Sequence, residues 1–198
     1  MNILLDSLPE AITVDGREYF ADTDFRTFII LEEIILDASL EARDRIESII
    51  DLVLPEDKPD DIEAAIDEIL FLYRCGENDR GSAKRRKNGE VELKPKMIYS
   101  YDFDAPYIFG AFMTQYKIDL NDVIYMHWWK FQAMFRSLGD DNKIVEIMSY
   151  RAADLGKIKD KNERSRIAHM KQIYALPENL SFEDKVAMAG AAFGGGRF

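Results

Sequence analysis

One cysteine, two histidines and six prolines are all that 198 residues contain of these types, and each scarcity removes a class of chemistry. The lone Cys75 excludes an internal disulfide, and a reducing compartment is the simplest home for such a chain. His127 and His169 are too far apart for a helical His-x-x-x-His pair and no Cys-x-x-Cys occurs, so the spacing of a zinc site is missing. No apolar run reaches the ~18–20 residues that span a bilayer, since the longest candidate, FIILEEIIL, is split by Glu32 and Glu33. The opening MNILLDSLPE lacks a positive n-region and a long apolar stretch, so no secretory signal is expected there. The one glycine run, Gly194–Gly196, opens no helix and forms no phosphate cradle. A Gly-x-Ser-x-Gly elbow is absent, and Cys75 has no histidine near it in sequence to activate it. Carboxylate pairs such as Glu32/Glu33 and Asp102/Asp104 are the kind used in acid–base or metal chemistry. Among 37 acidic residues, however, such pairs also arise from chance and helix capping. The expectation is a non-enzymatic protein with no metal and no cofactor.

What the chain does have is the composition of a folded globule, 47% hydrophobic and 32% charged. A chain of this size can bury a sizeable core without metal or disulfide staples. The net charge of −11 disfavours broad nucleic-acid binding, but the charge is unevenly placed. Residues 1–79 hold 6 Lys and Arg against 22 Asp and Glu, a net of −16, which leaves +5 on the remaining 119. Such asymmetry can orient subunits head to tail or guide a charged partner over short range, or it can simply be a solvated acidic surface. The basic residues gather in two places. Lys84, Arg85, Arg86 and Lys87 form a run without interleaved aromatics, read as a solvated loop or a contact loop for an acidic partner ahead of a phosphate or RNA contact. Arg151, Lys157, Lys159, Lys161, Arg164, Arg166 and Lys171 form a second zone, whose nearest target is the acidic first third, within one chain or between neighbours.

The periodicities predict a mainly α-helical protein with a small N-terminal β-hairpin. Asp15-Gly16 suits a two-residue type I′ turn and places the hairpin at about 11–22. Thr23 or Asp24 can cap a helix reaching about Leu36. A second helix at about 39–53 stops before Pro55, and a third begins near Pro59 or Asp60. Periodicity then vanishes from 76 to 96 in a polar, basic stretch of the length that functional loops and linkers have. Tyr99, Tyr101 and Phe103 alternate with polar residues as an extended lead-in. Asp104 can cap the next helix, with Pro106 in its first turn. Asp119, with Asp122, can start the helix that carries IYMHWWKFQAMFRSL (Ile124–Leu138). Helices over NKIVEIMSYRAADL and KDKNERSRIAHMKQIYAL follow, then a short one from Ser181 and a GGGRF tail. The expected division is an acidic hairpin-plus-helices region at 1–75, a basic loop at 76–96, an aromatic-rich helical region at 97–192 and a tail at 193–198, together one composite domain of two helical halves.

On a continuous helix Ile124, His127, Trp128, Phe131, Met134, Phe135 and Leu138 share one broad stripe, a core face. Trp129 falls off that stripe, near Tyr125. Two readings stand: both tryptophans in the core, or Trp129 and Tyr125 turned toward a partner, as Trp and Tyr often are at binding hot spots. Tyr125, Trp129, Lys130 and Arg136 are accordingly the candidate partner-binding residues. On the second reading Trp129→Ala should cost binding and less stability than Trp128→Ala. His127 reads as a core or groove histidine bonded to a backbone carbonyl.

Several segments together resemble one phage family. They are YDFDAPYIFGAFMTQYKIDLNDVIYMHWWKFQAMFRSL (Tyr101–Leu138), IMSYRAADLGKIKDKNERSR (Ile147–Arg166) and KQIYALPE (Lys171–Glu178). The combination of IDL (Ile118–Leu120) with HWWKF (His127–Phe131) is the most specific part. In these segments the chain resembles the bacteriophage gene-product-15 family of phages and prophages of Gram-positive bacteria. The hairpin and first helix, ITVDGREYFADTDFRTFIILEEI (Ile12–Ile34), resemble more loosely the start of phage tail assembly chaperones. The resemblance implies a tail-module protein of the host bacterial cytoplasm, a tail assembly chaperone that binds the tape measure protein, the tail tube protein, or both, with self-association. It carries no site residues over. The rival readings are a structural virion component, such as a tail completion or connector protein, and more remotely an acidic inhibitor of a host nucleic-acid enzyme.

Overall fold

The computed structural model of the chain describes residues 2–77 and 97–176. The Lys84–Lys87 run, the helix expected from Ser181 and the GGGRF tail lie outside them. In chain order the elements are strands β1 (Ala11–Val14) and β2 (Arg17–Phe20) and helices α1 (Phe25–Leu36), α2 (Ala42–Val53), α3 (Ile62–Tyr73), α4 (Ala105–Ala111), α5 (Trp128–Arg136), α6 (Lys143–Ala152) and α7 (Lys161–Ile173). The mainly helical class with an N-terminal hairpin is as expected. No helix among the described residues is long and apolar enough to cross a membrane.

These elements form two compact units whose membership is not contiguous in sequence. Among the described residues, one unit takes 2–77 with 122–137 and the other takes 97–121 with 138–176. Helix α5, which the sequence groups with 97–192, instead packs with the hairpin and α1 to α3. The reason is shape and chemistry rather than chain order: α5 carries the rings that fill the first unit's core.

In the first unit β1 and β2 pair antiparallel, from Ala11 opposite Phe20 to Val14 opposite Arg17. Asp15 and Gly16 take φ of 52° and 78°, the left-handed pair that the turn requires. Ile12, Val14 and Tyr19 are buried on the inner face. Asp24 caps α1 by accepting from Arg26 N at 3.0 Å, and Asp61 caps α3 by accepting from Ala64 N at 3.0 Å. The core is a run of stacked rings: Phe25 on Phe131 at 4.8 Å, Phe28 on Trp128 at 5.5 Å, Tyr73 on Trp128 at 5.9 Å and Trp128 on Phe131 at 5.8 Å between centroids. Aliphatic residues from α2 and α3, among them Ile49, Val53, Ala65 and Ile69, close it.

In the second unit α4 continues into one π-helical turn, Phe112–Tyr116, which ends at Lys117 with φ of 58°. Gln115 Oε1 accepts from Gly139 N at 2.9 Å and Asn142 Nδ2 at 2.7 Å, tying that turn to the start of α6. Asp104 is not the side-chain cap that the sequence suggested. Its carboxylate is fully buried and grips Arg151 of α6 through two bonds, at 2.5 and 2.9 Å, while accepting from Ser100 N at 2.9 Å. Residues 97–104 form coil and turn, not an extended lead-in, because this bonding wraps them around the guanidinium. Arg151 also donates to the carbonyls of Ile98 at 3.1 Å and Tyr174 at 2.6 Å. It thus belongs to the interior and leaves the expected surface basic zone one charge smaller.

Candidate partner-binding site

The segment expected to be helical from Asp119 is irregular up to His127, and α5 starts only at Trp128. Its backbone pairs elsewhere instead. Phe25 N donates to Met126 O at 2.9 Å and Trp128 N to Thr23 O at 2.8 Å, while Met126 N reaches Asp24 Oδ2 at 3.0 Å. These tertiary bonds take up groups that a helix would need internally, so the cap falls to His127. Its Nδ1 accepts from Trp129 N at 3.0 Å, and its Nε2 donates to Pro9 O at 2.9 Å. Both bonds together fix the neutral tautomer that carries the proton on Nε2. Burial lowers the pKa of His127 from the ordinary value, partly offset by the Pro9 carbonyl and by Glu10.

The two tryptophans perform a matched task at the end of α3. Trp128 Nε1 donates to Tyr73 O at 2.8 Å and Trp129 Nε1 to Leu72 O at 2.7 Å. The last carbonyls of a helix lack intrahelical donors, and these indoles supply them. The chain then leaves α3 through Cys75 and Gly76 in left-handed conformation, with Gly76 N donating to Phe71 O at 3.0 Å. Gly76 is required twice over: its φ is +75°, and a Cβ there would sit 2.8 Å from Trp129 Cη2. Cys75 is partly buried beside this turn, and burial pushes its thiol pKa up to about 11.

The exposed partner surface expected of Trp129 is therefore corrected: it is only 5% exposed, against 1% for Trp128. Its ring packs edge-on against Phe71 and His127 rather than beside Tyr125 in solvent. The other three candidates do lie at the surface. Tyr125 is 48% exposed, Lys130 is exposed, and Arg136 is exposed with Glu77 at 3.5 Å.

The residue that sequence reasoning misplaced is Ile124. Assigned to a core stripe, it is instead 99% exposed. The turn-favouring pair Asn121-Asp122 just before it was the signal that a helix does not run through this point. Ile124 and Tyr125 sit on a loop held at both sides: Arg26 Nη2 donates to Val123 O at 2.7 Å, and the Tyr125 hydroxyl is 2.8 Å from Thr23 Oγ1. Burial of the phenol raises the Tyr125 pKa. The Thr23 bond lowers it, and the neighbouring carboxylates Glu10, Asp24 and Asp22 raise it further. The site is thus a fixed, exposed apolar tip with acidic groups around it. Its chemistry suits burial against another protein. Among the described residues no group of three His, Cys, Asp or Glu side chains is arranged to hold a metal.

A family profile described as bacteriophage Gp15 protein matches residues 4–176, which covers the hairpin, helices α1 to α7 and the Ile124–Tyr125 loop. No curated protein and no solved structure matches the chain.

Proposed function

Because the chain belongs to the bacteriophage Gp15 protein family, we propose that it is a non-enzymatic tail morphogenesis factor, a tail assembly chaperone acting in the host cytoplasm on the tape measure protein and the tail tube protein. The observation that supports this reading is the tip formed by Ile124 and Tyr125. An isoleucine that is 99% exposed on a tethered loop gains nothing for the chain's own fold. Buried against a partner, an aliphatic side chain of that size contributes about 1.5–3 kcal/mol. Tyr125 adds a half-exposed ring with few torsions to freeze. The carboxylates of Glu10, Asp22 and Asp24 favour a partner segment that presents apolar side chains flanked by lysine or arginine, such as one face of an amphipathic helix. Lys130 and Arg136, exposed on α5, remain candidate contacts.

The test is co-expression with a candidate phage tape measure protein, followed by tagged pull-down and analysis of purified particles. Co-purification from the cell extract, loss of capture in Ile124→Asp with an unchanged melting temperature, and absence from finished particles are the expected results. Retention in finished particles would make it a structural virion component instead. Undiminished capture by Ile124→Asp would remove the tip from the interface.

A further inference from the structure

Helix α1 is apolar around most of its circumference, yet the fold covers only one side of it. Phe25, Phe28 and Leu31 are buried, while Ile30 is 45% and Leu36 50% exposed and Ile34 is only partly buried. A helix that is apolar all round belongs in the centre of a core or under a partner. At about 100° per residue, Arg26, Ile30, Glu33 and Ile34 fall on one side of α1.

This stripe is continuous with the Ile124–Tyr125 tip. Arg26, at its start, donates through Nη2 to Val123 O at 2.7 Å, and Phe25 N donates to Met126 O at 2.9 Å. The loop is thus fastened to the first turn of α1 on both sides of Ile124. The far end of the helix is fixed as well: Arg45 donates to the carbonyls of Ile34 at 3.3 Å, Asp37 at 2.5 Å and Leu40 at 2.9 Å. From Arg26 to Ile34 the stripe rises about 12 Å, a little over two helical turns.

We infer that Ile30 and Ile34 extend the tip into one docking surface, whose occupant is an amphipathic helix of a partner protein, apolar on one face and bordered by lysine or arginine. The inference rests on the reading of Ile124 and Tyr125 as a partner site, and adds where the partner runs from there. Arg26, Ile30 and Ile34 form one i, i+4 row and Ile29 and Glu33 the next, and the groove between such rows accepts the side-chain ridge of another helix. An extended strand fits less well, because the backbone of α1 is bonded internally and would leave the strand's N–H and C=O groups unpaired. Charge selects the flanks of the occupant. Glu10, Asp22 and Asp24 surround the tip, and Glu33 and Asp37 stand one turn apart toward the far end of α1. The same carboxylates disfavour an anionic lipid surface.

Fluorescence anisotropy of a labelled peptide titrated with the purified full chain tests the surface. The probe is a synthetic peptide of about 18 residues, with leucines at i, i+3, i+4 and i+7 and lysines elsewhere. The wild type should bind it, and Ile30→Asp and Ile124→Asp should each weaken binding about tenfold or more. Ile30→Ala keeps a strong helix former and should still weaken it about fivefold, which covers the case in which aspartate lowers the melting temperature. A Leu/Glu peptide, or a Leu/Lys peptide broken by a central proline, should bind at least about tenfold more weakly than the probe. Ile173→Asp, at an isoleucine of α7 that is 56% exposed, should change nothing. Ile30 variants that bind like wild type overturn the extension along α1, and leave the tip standing if Ile124→Asp still loses the peptide. Losses in the Ile30 variants without a loss in Ile124→Asp remove the tip and, with it, the continuous surface. No binding by the wild type at about 100 μM, equal binding of the Leu/Glu peptide, or an equal loss in Ile173→Asp overturns the basic helix as occupant. Sedimentation that rises with concentration and reverts to monomer in Ile30→Asp would put a second copy on this face instead. Peptide binding as expected, with no capture of the tape measure protein, would overturn the chaperone reading and leave the docking surface in place.

Discussion

Replacing Arg151 by methionine removes the centre of the second unit while keeping an unbranched apolar stem in place of the arginine's aliphatic part. In the wild type the Arg151 side chain is 3% exposed and that of Asp104 is fully buried. The guanidinium satisfies both carboxylate oxygens and the carbonyls of Ile98 and Tyr174. Truncating one member of such a pair leaves an uncompensated buried charge, which costs about 3–5 kcal/mol. Arg151→Met belongs at the upper end, because Asp104 keeps only the Ser100 N–H and two carbonyls lose their donor. Asp104→Asn belongs near the lower end, since an amide oxygen can still accept one bond from the guanidinium. The double variant Asp104→Leu with Arg151→Met removes both charges and leaves only neutral backbone groups short of partners, a loss of about 1–3 kcal/mol. It should therefore be more stable than Arg151→Met alone. Urea unfolding followed by far-UV circular dichroism measures all four species of the Asp104→Leu/Arg151→Met cycle, and the coupling energy should exceed about 2 kcal/mol. Additive single losses, or an Arg151→Met cost below about 1 kcal/mol, would show that the pair is hydrated and does not hold α4 to α6.

Trp128→Ala and Trp129→Ala should each cost about 3–5 kcal/mol, in place of the unequal effects suggested by sequence, because both rings are buried. Trp128→Phe retains a ring but takes the indole donor from the Tyr73 carbonyl, costing about 1–3 kcal/mol in urea titrations, while Trp129→Phe should cost less because the Leu72 carbonyl keeps Cys75 N at 3.0 Å; equal stability of wild type and Trp128→Phe would refute the capping role. Gly76→Ala should lower the melting temperature more than Gly16→Ala. Both have positive φ, worth about 1–2 kcal/mol, but only Gly76 faces a ring at 2.8 Å, while Gly16 opens into free space. His127 has its pKa lowered by burial, so the unfolded chain takes up the proton first as pH falls. Its contribution is complete above the usual histidine value of about 6.5 and is lost as pH drops through that value toward the depressed one. The slope cannot exceed about 1.4 kcal/mol per pH unit for one proton, and it should vanish from the stability profile of His127→Asn, which keeps an acceptor for Trp129 N.

Local chemistry made much of the first unit legible. Asp15-Gly16 fixed the hairpin turn, Asp24 the start of α1, and Pro55 the region where α2 ends, because these signals act over a few residues of backbone. The aromatic segment was legible only in part. Trp128 and Phe131 read correctly as core, but a helical wheel drawn from Ile124 presumes that the helix already exists there. It does not, since the backbone from Val123 to Trp128 is bonded to Thr23, Asp24, Phe25 and Arg26, about a hundred residues earlier. The same distance hid the candidate site: Ile124 moved from core to solvent, and of the two readings of Trp129 only burial in the core stands.

Turn geometry, helix periodicity, charge asymmetry and family membership are properties of short windows or of composition, and the chain states them without reference to its fold. Burial and polar pairing are not of that kind. Trp129 is inside because its ring packs against Phe71 and His127 while its indole N–H reaches the Leu72 carbonyl, 57 residues away. Asp104 abandons the cap its position suggests because Arg151, 47 residues on, offers a stronger partner out of water. Side chains choose the partner that satisfies them in the dry interior, and that choice depends on which segments the fold brings together.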